Sequence, residues 1–423
     1  MSLAIINGHV VNPADNTSAP LDVLISDGRI LEIGASLKGD ETLDASGCVV
    51  CPGLVDIHCH FREPGFESKE TIASGSRAAA RGGFTTVVTM ANTSPPIDNA
   101  GLVELVIRRA REEACIHVRP AACATKAMKS EEITEMADLK AAGAAAITDD
   151  GRDIASSAVM RHALEYANMV GMPFLSHCED EALCEGGAMN EGYTATLMGV
   201  PGIPKAAEEV RIDRNIRLAE LAGAHIHIQH VSTAGGVEIV RQAKRRGARV
   251  TAESAPHYFS LTDAAANGFN TNAKMNPPLR EQEDVEAIIE GLKDGTLDCI
   301  ATDHAPHTPT EKRVEFALAP FGIIGLETSL ALTMTHLVRP GHITLEHAVH
   351  LLSLGGARVC RLDAGELRVG GPADIVVFDP DATWTVNADD FLSRSRNSPF
   401  IGQTLHGKVR HTFCNGALVY QGR

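Results

Sequence analysis

Pro52-Gly-Leu-Val-Asp-Ile-His-Cys-His60 is the stretch that decides how this chain folds. The turn pair Pro52-Gly53 opens a short apolar run, and the run closes on two imidazoles, His58 and His60, at i, i+2 spacing. Alternation along a strand puts both rings on one face, where they can share a metal ion. Outward from it the same grammar recurs, with strand-like runs at 54–58, 85–89, 117–122, 144–148, 173–177, 226–230, 249–253 and 299–302. Helix-period segments lie between them, at 69–81, 102–113, 131–142, 154–170, 206–222, 236–246 and 283–293. This alternation predicts an α/β fold of βα units around a parallel sheet, and the strand count is what a (β/α)8 TIM-like barrel needs to close. A doubly wound open sheet competes, but no G-x-G-x-x-G follows the first strand.

The two ends read differently. Runs at 3–6, 10–11, 21–25, 29–33 and 48–50 are β-like, with Asn7-Gly8 and Asp27-Gly28 as hairpin signals. Runs at 373–378, 383–386, 409–414 and 417–420 repeat the pattern around Asn415-Gly416. Neither end has enough strands for a core of its own. Residues 1–52 and 365–423 are therefore expected to pair as one small β-sandwich domain, leaving 53–364 as the catalytic barrel.

Across 423 residues, 38 Lys and Arg face 54 Asp and Glu, a net charge of −16, with 44% hydrophobic and 22% charged residues. That composition is globular and excludes a disordered, collagenous or coiled-coil chain. The acidic balance argues against a partner such as nucleic acid or an anionic membrane, whereas a small anionic substrate needs only one or two local Arg. The N-terminus lacks the pattern of a secretory signal, and no run reaches the length of a membrane span. The ten Cys are scattered from Cys48 to Cys414, which predicts a reducing cytoplasm. Cys48 and Cys51 form a C-x-x-C inside an apolar run, so strand packing is expected there rather than redox or zinc-ribbon chemistry.

Barrel enzymes carry their chemistry at the C-terminal ends of strands. His58 and His60 end the first strand, Asp149-Asp150-Gly151 follow the fourth, His177 ends the fifth, His230 the sixth and Asp303 the eighth. Each alone is a weak signal, since H-x-H pairs are common in cores and Asp-Asp-Gly reads first as a turn. Five strand ends supplying nitrogen or carboxylate together point to one inward-facing metal site. His225 and His227 share the i, i+2 spacing but open their strand, so they are read as structural, with His257 and His304 as structural or supporting neighbours.

Further motifs complete the pattern: the first run extends as Pro52-Gly-Leu-Val-Asp-Ile-His-Cys-His-Phe-Arg-Glu-Pro-Gly65, and is joined by Met90-Ala-Asn-Thr93, Thr148-Asp-Asp-Gly151, Lys274-Met-Asn-Pro-Pro-Leu-Arg280, Ala301-Thr-Asp-His-Ala-Pro-His307 and Pro320-Phe-Gly322. As a set these resemble the type I dihydroorotases of the amidohydrolase superfamily, over nearly the whole chain. The resemblance implies a zinc enzyme that interconverts N-carbamoyl-L-aspartate and L-dihydroorotate in pyrimidine biosynthesis. It implies His58, His60 and Asp303 on one zinc, His177 and His230 on a second, and Asp150 bridging them, with the adjacent Asp149 as the competing bridge. It also implies Asp303 as the proton carrier and Arg62 as the fork for a carboxylate. His60, Asn92, Asn276, His307, Phe321 and Gly322 are the remaining implied substrate contacts.

Hydantoinases and allantoinases resemble the chain too, but carry a lysine at the end of the fourth strand. Here that end reads Gly143-Ala-Ala-Ala-Ile-Thr-Asp-Asp-Gly151, so a bridging carboxylate must come from Asp. Two other readings stand beside the first: another cyclic amidohydrolase, and a non-catalytic scaffold for aspartate carbamoyltransferase, which would have lost its metal ligands. A homodimer and an association with aspartate carbamoyltransferase are the expected protein partners. The polar segment 308–319 is expected as a mobile loop over the site.

Overall fold

The computed structural model describes residues 1–422. Both chain ends enter one eight-stranded sheet. Its order is Ala417–Gln421, Thr404–Cys414, Ile375–Thr385, Val49–Pro52, Ser2–Asn12, Thr17–Ser26 and Arg29–Gly34, with Glu41–Asp44 paired to Ser2–Asn12. The seam between the ends is antiparallel, with Ile375 opposite Pro52 and Phe378 opposite Val49. Alternation gives each face its own job: Val50, Ile375 and Val377 pack with Ile5, Val10 and Val23, while Val49, Cys51, Val376 and Phe378 turn toward the main core.

The rest of the chain alternates parallel strands and helices. Leu54–Cys59, Phe84–Thr89 and His117–Pro120 pair in that order. Phe174–Ser176, Ile226–Ile228, Val250–Ser254 and Cys299–Ile300 form a second parallel run. Ile147 bridges the two, pairing with Ala122 on one side and Phe174 on the other. At the far edge Cys59 pairs with His304, and the His60 amide donates to the His304 carbonyl at 2.9 Å. Every residue of Leu54–Cys59 is buried, as expected of a parallel strand covered on both faces. Burying Leu54, Val55 and Ile57 contributes about 1.5–3 kcal/mol each.

Helix starts follow local chemistry. Thr71 caps Ile72–Arg81 in a capping box with Ser74, and Ser156 caps Ser157–Val170. Two sequence expectations need correction and a third holds. The fourth strand, expected over 144–148, is paired on both sides: the Ala145 amide donates to the Pro120 carbonyl at 2.8 Å, the Thr148 amide to the Ala122 carbonyl at 2.9 Å and the Ile147 amide to the Pro173 carbonyl at 3.0 Å. The helix expected over 131–142 begins only at Met136, because Ile133 bridges to Thr125 and the Thr134 hydroxyl donates to the Cys123 carbonyl. Asn7-Gly8 is a bulge rather than a hairpin: Asn7 takes a left-handed φ of 62° and the strand continues past it to Asn12. Asp27-Gly28 and Asn415-Gly416 do make their turns, each with positive φ at both residues.

All ten cysteines are free, and Cys51 lies buried in its strand, where burial pushes the thiol pKa up. Among the described residues no helix is long and apolar enough to cross a membrane.

Candidate active site

The strand ends converge on a cavity of about 360 Å³ lined by His60, Arg62, Asn92, Asp150, His177 and His230 on one side, and Asn276, Asp303, His307, Phe321 and Gly322 on the other. His58 lies beneath it, fully buried. The residues that the resemblance assigns to metal or substrate are therefore brought together at one place. A larger cavity, about 610 Å³, lies elsewhere beside the terminal sheet; its one imidazole, His117, is already bonded to Asp374 at 3.1 Å.

Hydrogen bonds fix which nitrogen of each ring faces inward. Glu253 Oε1 accepts from His58 Nδ1 at 2.6 Å, leaving Nε2 buried without a hydrogen-bond partner, 3.2 Å from Asp150 Oδ1 and 3.6 Å from Asp303 Oδ1. Asn92 Oδ1 accepts from His60 Nδ1 at 2.9 Å, which aims Nε2 at Asp303 Oδ1 (3.2 Å) and Asp150 Oδ2 (3.5 Å). Glu179 Oε2 accepts from His177 Nε2 at 3.2 Å, which turns Nδ1 toward His230 Nε2 (2.8 Å) and Asp150 Oδ1 (3.7 Å). In these tautomers the inward nitrogens of His58, His60 and His177 present lone pairs toward carboxylate oxygens. Acceptors converging on acceptors are repulsive unless a cation sits between them, and the donor set suits a metal ion. Three overlapping groups meet that geometry: His58, His60 and Asp150; His58, His230 and Asp303; and Asp150, His177 and His230.

The electrostatics show that the carboxylates favour positive charge at the cluster. Burial opposes charge on His58, but Asp150, Asp303 and Glu253 outweigh it and push its pKa up. Burial likewise opposes an ionised Asp150, yet His58, His230 and His60 hold its carboxyl far below the usual range. His230 and Asp303, at φ 35° and 43°, and Arg62, at 61°, are non-glycine residues in the left-handed region, a concentration of backbone strain at one site.

Asp149 does not reach the cluster. Its Oδ1 accepts from the Ala124 and Thr125 amides at 2.8 and 3.1 Å and its Oδ2 from the Thr125 hydroxyl, so it ties down the loop while Asp150 faces inward. His225 and His227 stay away from the cavity, both bonded to Thr251 Oγ1 at 2.9 Å. His304 bonds Glu70 at 3.4 Å and accepts from the Gly325 amide at 3.2 Å.

Sequence reading missed two carboxylates. Glu253 joins His58 to His227 (Oε2 to Nε2, 3.0 Å), and Glu179 joins His177 to Asn276 Nδ2 (3.1 Å). For both, burial favours the neutral acid but the imidazoles dominate, bringing each pKa to about 2. The signal for Glu253 was a lone acid in a short strand, Val250–Ser254, that is otherwise uncharged. Asn276 Oδ1 remains buried and unpartnered beside the cavity.

The Dihydro-orotase-like family matches residues 47–235, and the Amidohydrolase family residues 228–420. Among solved structures, L-hydantoinase (dihydropyrimidinase) from Arthrobacter aurescens superposes with a TM-score of 0.89 at 26% identity, covering 99% of this chain and 96% of that one. Dihydropyrimidinase from Brevibacillus agri gives 0.86 at 26% identity, covering 100% and 95%. Family match and fold together define an amidohydrolase of mixed α/β architecture. Full-length relatives narrow the assignment. The dihydroorotase of Citrifermentans bemidjiense is 50% identical over 424 residues, covering all of both chains, and that of Ruminiclostridium cellulolyticum is 49% identical over 421 residues, 99% and 98% of the two. The chain belongs to the dihydroorotase family.

Proposed function

We propose that this chain is a zinc-dependent dihydroorotase, opening L-dihydroorotate to N-carbamoyl-L-aspartate and closing it again in pyrimidine biosynthesis. The observation that carries the reading is one cavity holding both the imidazole–carboxylate cluster and the Arg62–His307 pair suited to a substrate carboxylate. Asp150, where hydantoinases resembling the chain have lysine, weighs against that alternative. Intact converging donors weigh against a scaffold.

His58, His60 and Asp303 would hold one zinc and His177 and His230 a second, with Asp150 between them. Zinc bound there supplies Lewis acidity toward a carbonyl oxygen and toward water. Arg62 and His307 bind the ring carboxylate, Asn276 Oδ1 accepts a ring N–H, and Asn92, His60 and the backbone at Phe321 and Gly322 complete the cradle. As water attacks the ring amide carbonyl, the Asp303 carboxylate takes its proton and delivers it to the leaving ring nitrogen when the C–N bond breaks. In the closing direction the same carboxylate delivers the proton that lets oxygen leave as water.

The parallel pairings support a closed (β/α)8 barrel over 53–364, with 1–52 and 365–423 forming a β-sandwich across the seam of Ile375 and Pro52. Free thiols fit a cytoplasmic enzyme. Met169 and Leu221, 75% and 64% exposed near helix ends joined by an Asn168–Ala222 bond, support a homodimer. Association with aspartate carbamoyltransferase completes the proposal, and co-elution of the two enzymes checks it. The function itself is tested by offering the zinc-loaded protein L-dihydroorotate, allantoin and hydantoin. Ring opening of dihydroorotate is the expected preference, and a preference for either of the others overturns it.

A further inference from the structure

Two lysines beside the cavity are used by none of the chemistry above, and among the described residues no carboxylate pairs with either. Lys312, 5% exposed, donates from Nζ to the carbonyls of Pro320 (2.8 Å), Thr271 (3.0 Å) and Lys274 (3.4 Å). Lys274, 3% exposed, donates to the carbonyls of Phe316 (2.8 Å) and Ala317 (2.9 Å) and lies 4.6 Å from the centre of the Phe321 ring. A buried ammonium ordinarily takes a carboxylate partner or gives up its proton. Carbonyl dipoles and a ring face solvate these charges without cancelling them. Burial pulls both amines down, Lys274 to about 8 and Lys312 to about 7. The segment 308–319, expected to be mobile, is gripped by both.

The charge of Lys312 joins that of Arg62 and Lys69 at one imidazole. Arg62 Nη2 lies 3.4 Å from His307 Nε2, and Lys69 Nζ lies 3.4 Å from His307 Nδ1. Both partners can only donate, yet a neutral imidazole has a single lone pair, so one of them meets an N–H. Burial, then Arg62, Lys69 and Lys312, press the His307 pKa down to about 2, which closes the protonated route as well. Glu311, 2.9 Å from Lys69, is the carboxylate paired within this cluster. Asp303, Asp150, Glu311 and Glu70 offset Arg62, and Glu311 pairs with Lys69, so among the described residues the rim cations left without a carboxylate partner are Lys274 and Lys312.

We propose that Lys274 and Lys312 are specificity-determining positioning residues, whose uncompensated charge and grip on the 312–322 rim make the cavity select a ring that carries a carboxylate over the same ring without one. The inference rests on the dihydroorotase reading of the cavity. The lysines act through Arg62, His307 and the Phe321-Gly322 backbone.

The test is run at about pH 6, where both amines keep their protons, on the zinc-loaded full chain with two planar rings that differ in the carboxylate, orotate and uracil, and dissociation constants are measured by calorimetry or competition. Lys312→Met and Lys274→Met are each expected to weaken orotate at least about tenfold, ~1.4 kcal/mol, while uracil changes less than about twofold. Unchanged orotate binding overturns the proposal. Equal weakening of both rings overturns it too, because that is collapse of the rim rather than loss of charge. Should Lys312→Met not fold, Lys274→Met, which gives up two carbonyl bonds rather than three, carries the same comparison. A wild-type protein that prefers orotate over uracil but does not open dihydroorotate would refute the proposed reaction and leave the anion selectivity standing.

Discussion

Glu253→Gln is the perturbation whose consequence the geometry specifies most fully. Glu253 is 1% exposed and accepts from two rings, His58 Nδ1 at 2.6 Å and His227 Nε2 at 3.0 Å. Glutamine keeps the shape but has one acceptor and one donor end. If its amide nitrogen faces His58, Nδ1 must become the acceptor and the proton moves to Nε2, the nitrogen that faces Asp150 and Asp303. If the oxygen stays on His58, His227 has to change tautomer against Thr251, and the anionic partner of the His58 ring is lost either way. One charge-assisted bond is worth about 1.5–3 kcal/mol. Removing the partner that orients a metal-binding imidazole costs roughly 10- to 100-fold in affinity or activity, ~1.4–2.7 kcal/mol, so the two estimates agree. Equilibrium dialysis against graded free zinc, with kcat/KM on dihydroorotate, reads the effect directly. A variant with zinc affinity and kcat/KM within about twofold of wild type would refute the proposed orienting role.

Two further variants address binding and stability. Arg62→Lys replaces a planar fork with a point charge and is expected to raise KM for dihydroorotate at least about tenfold; an unchanged KM rejects the fork. Glu327, 8% exposed, has its pKa raised to about 7 by burial, although the Leu392 and Ser393 amides and Arg81 pull the other way. Because the folded state keeps this proton where the unfolded chain has lost it, the group's stabilising contribution is present below about pH 4.5 and is lost as pH rises through about 7. Urea midpoints of wild type should therefore fall relative to Glu327→Gln between about pH 5 and pH 8, by up to ~3 kcal/mol, and parallel profiles would contradict the assignment.

What the sequence made legible follows from where barrel chemistry sits. A strand end is readable locally, so His58, His60, His177, His230 and Asp303 were found from spacing and position. Asp150 could not be separated from Asp149 until hydrogen bonds to Ala124 and Thr125 removed the latter. Glu253, Glu179, Lys274 and Lys312 escaped because their roles depend on partners far away in sequence, such as His58 for Glu253 and Pro320 or Thr271 for Lys312. The helix expected over 131–142 starts late for a related reason: helical period marks the segment, but Ile133 and Thr134 are drawn off by Thr125 and Cys123, which the local window does not contain. Asn7-Gly8 carries a hairpin signal that the strand absorbs as a bulge, since Asn7 tolerates a positive φ in either setting.

The central claim is that Asp303, 3.2 Å from His60 Nε2 and facing the cavity, moves the proton between water and the ring nitrogen. Turnover of L-dihydroorotate by zinc-loaded Asp303→Asn measures it most directly. The account predicts a folded protein whose kcat falls by about a hundredfold or more. A near-wild-type kcat in that variant would contradict it.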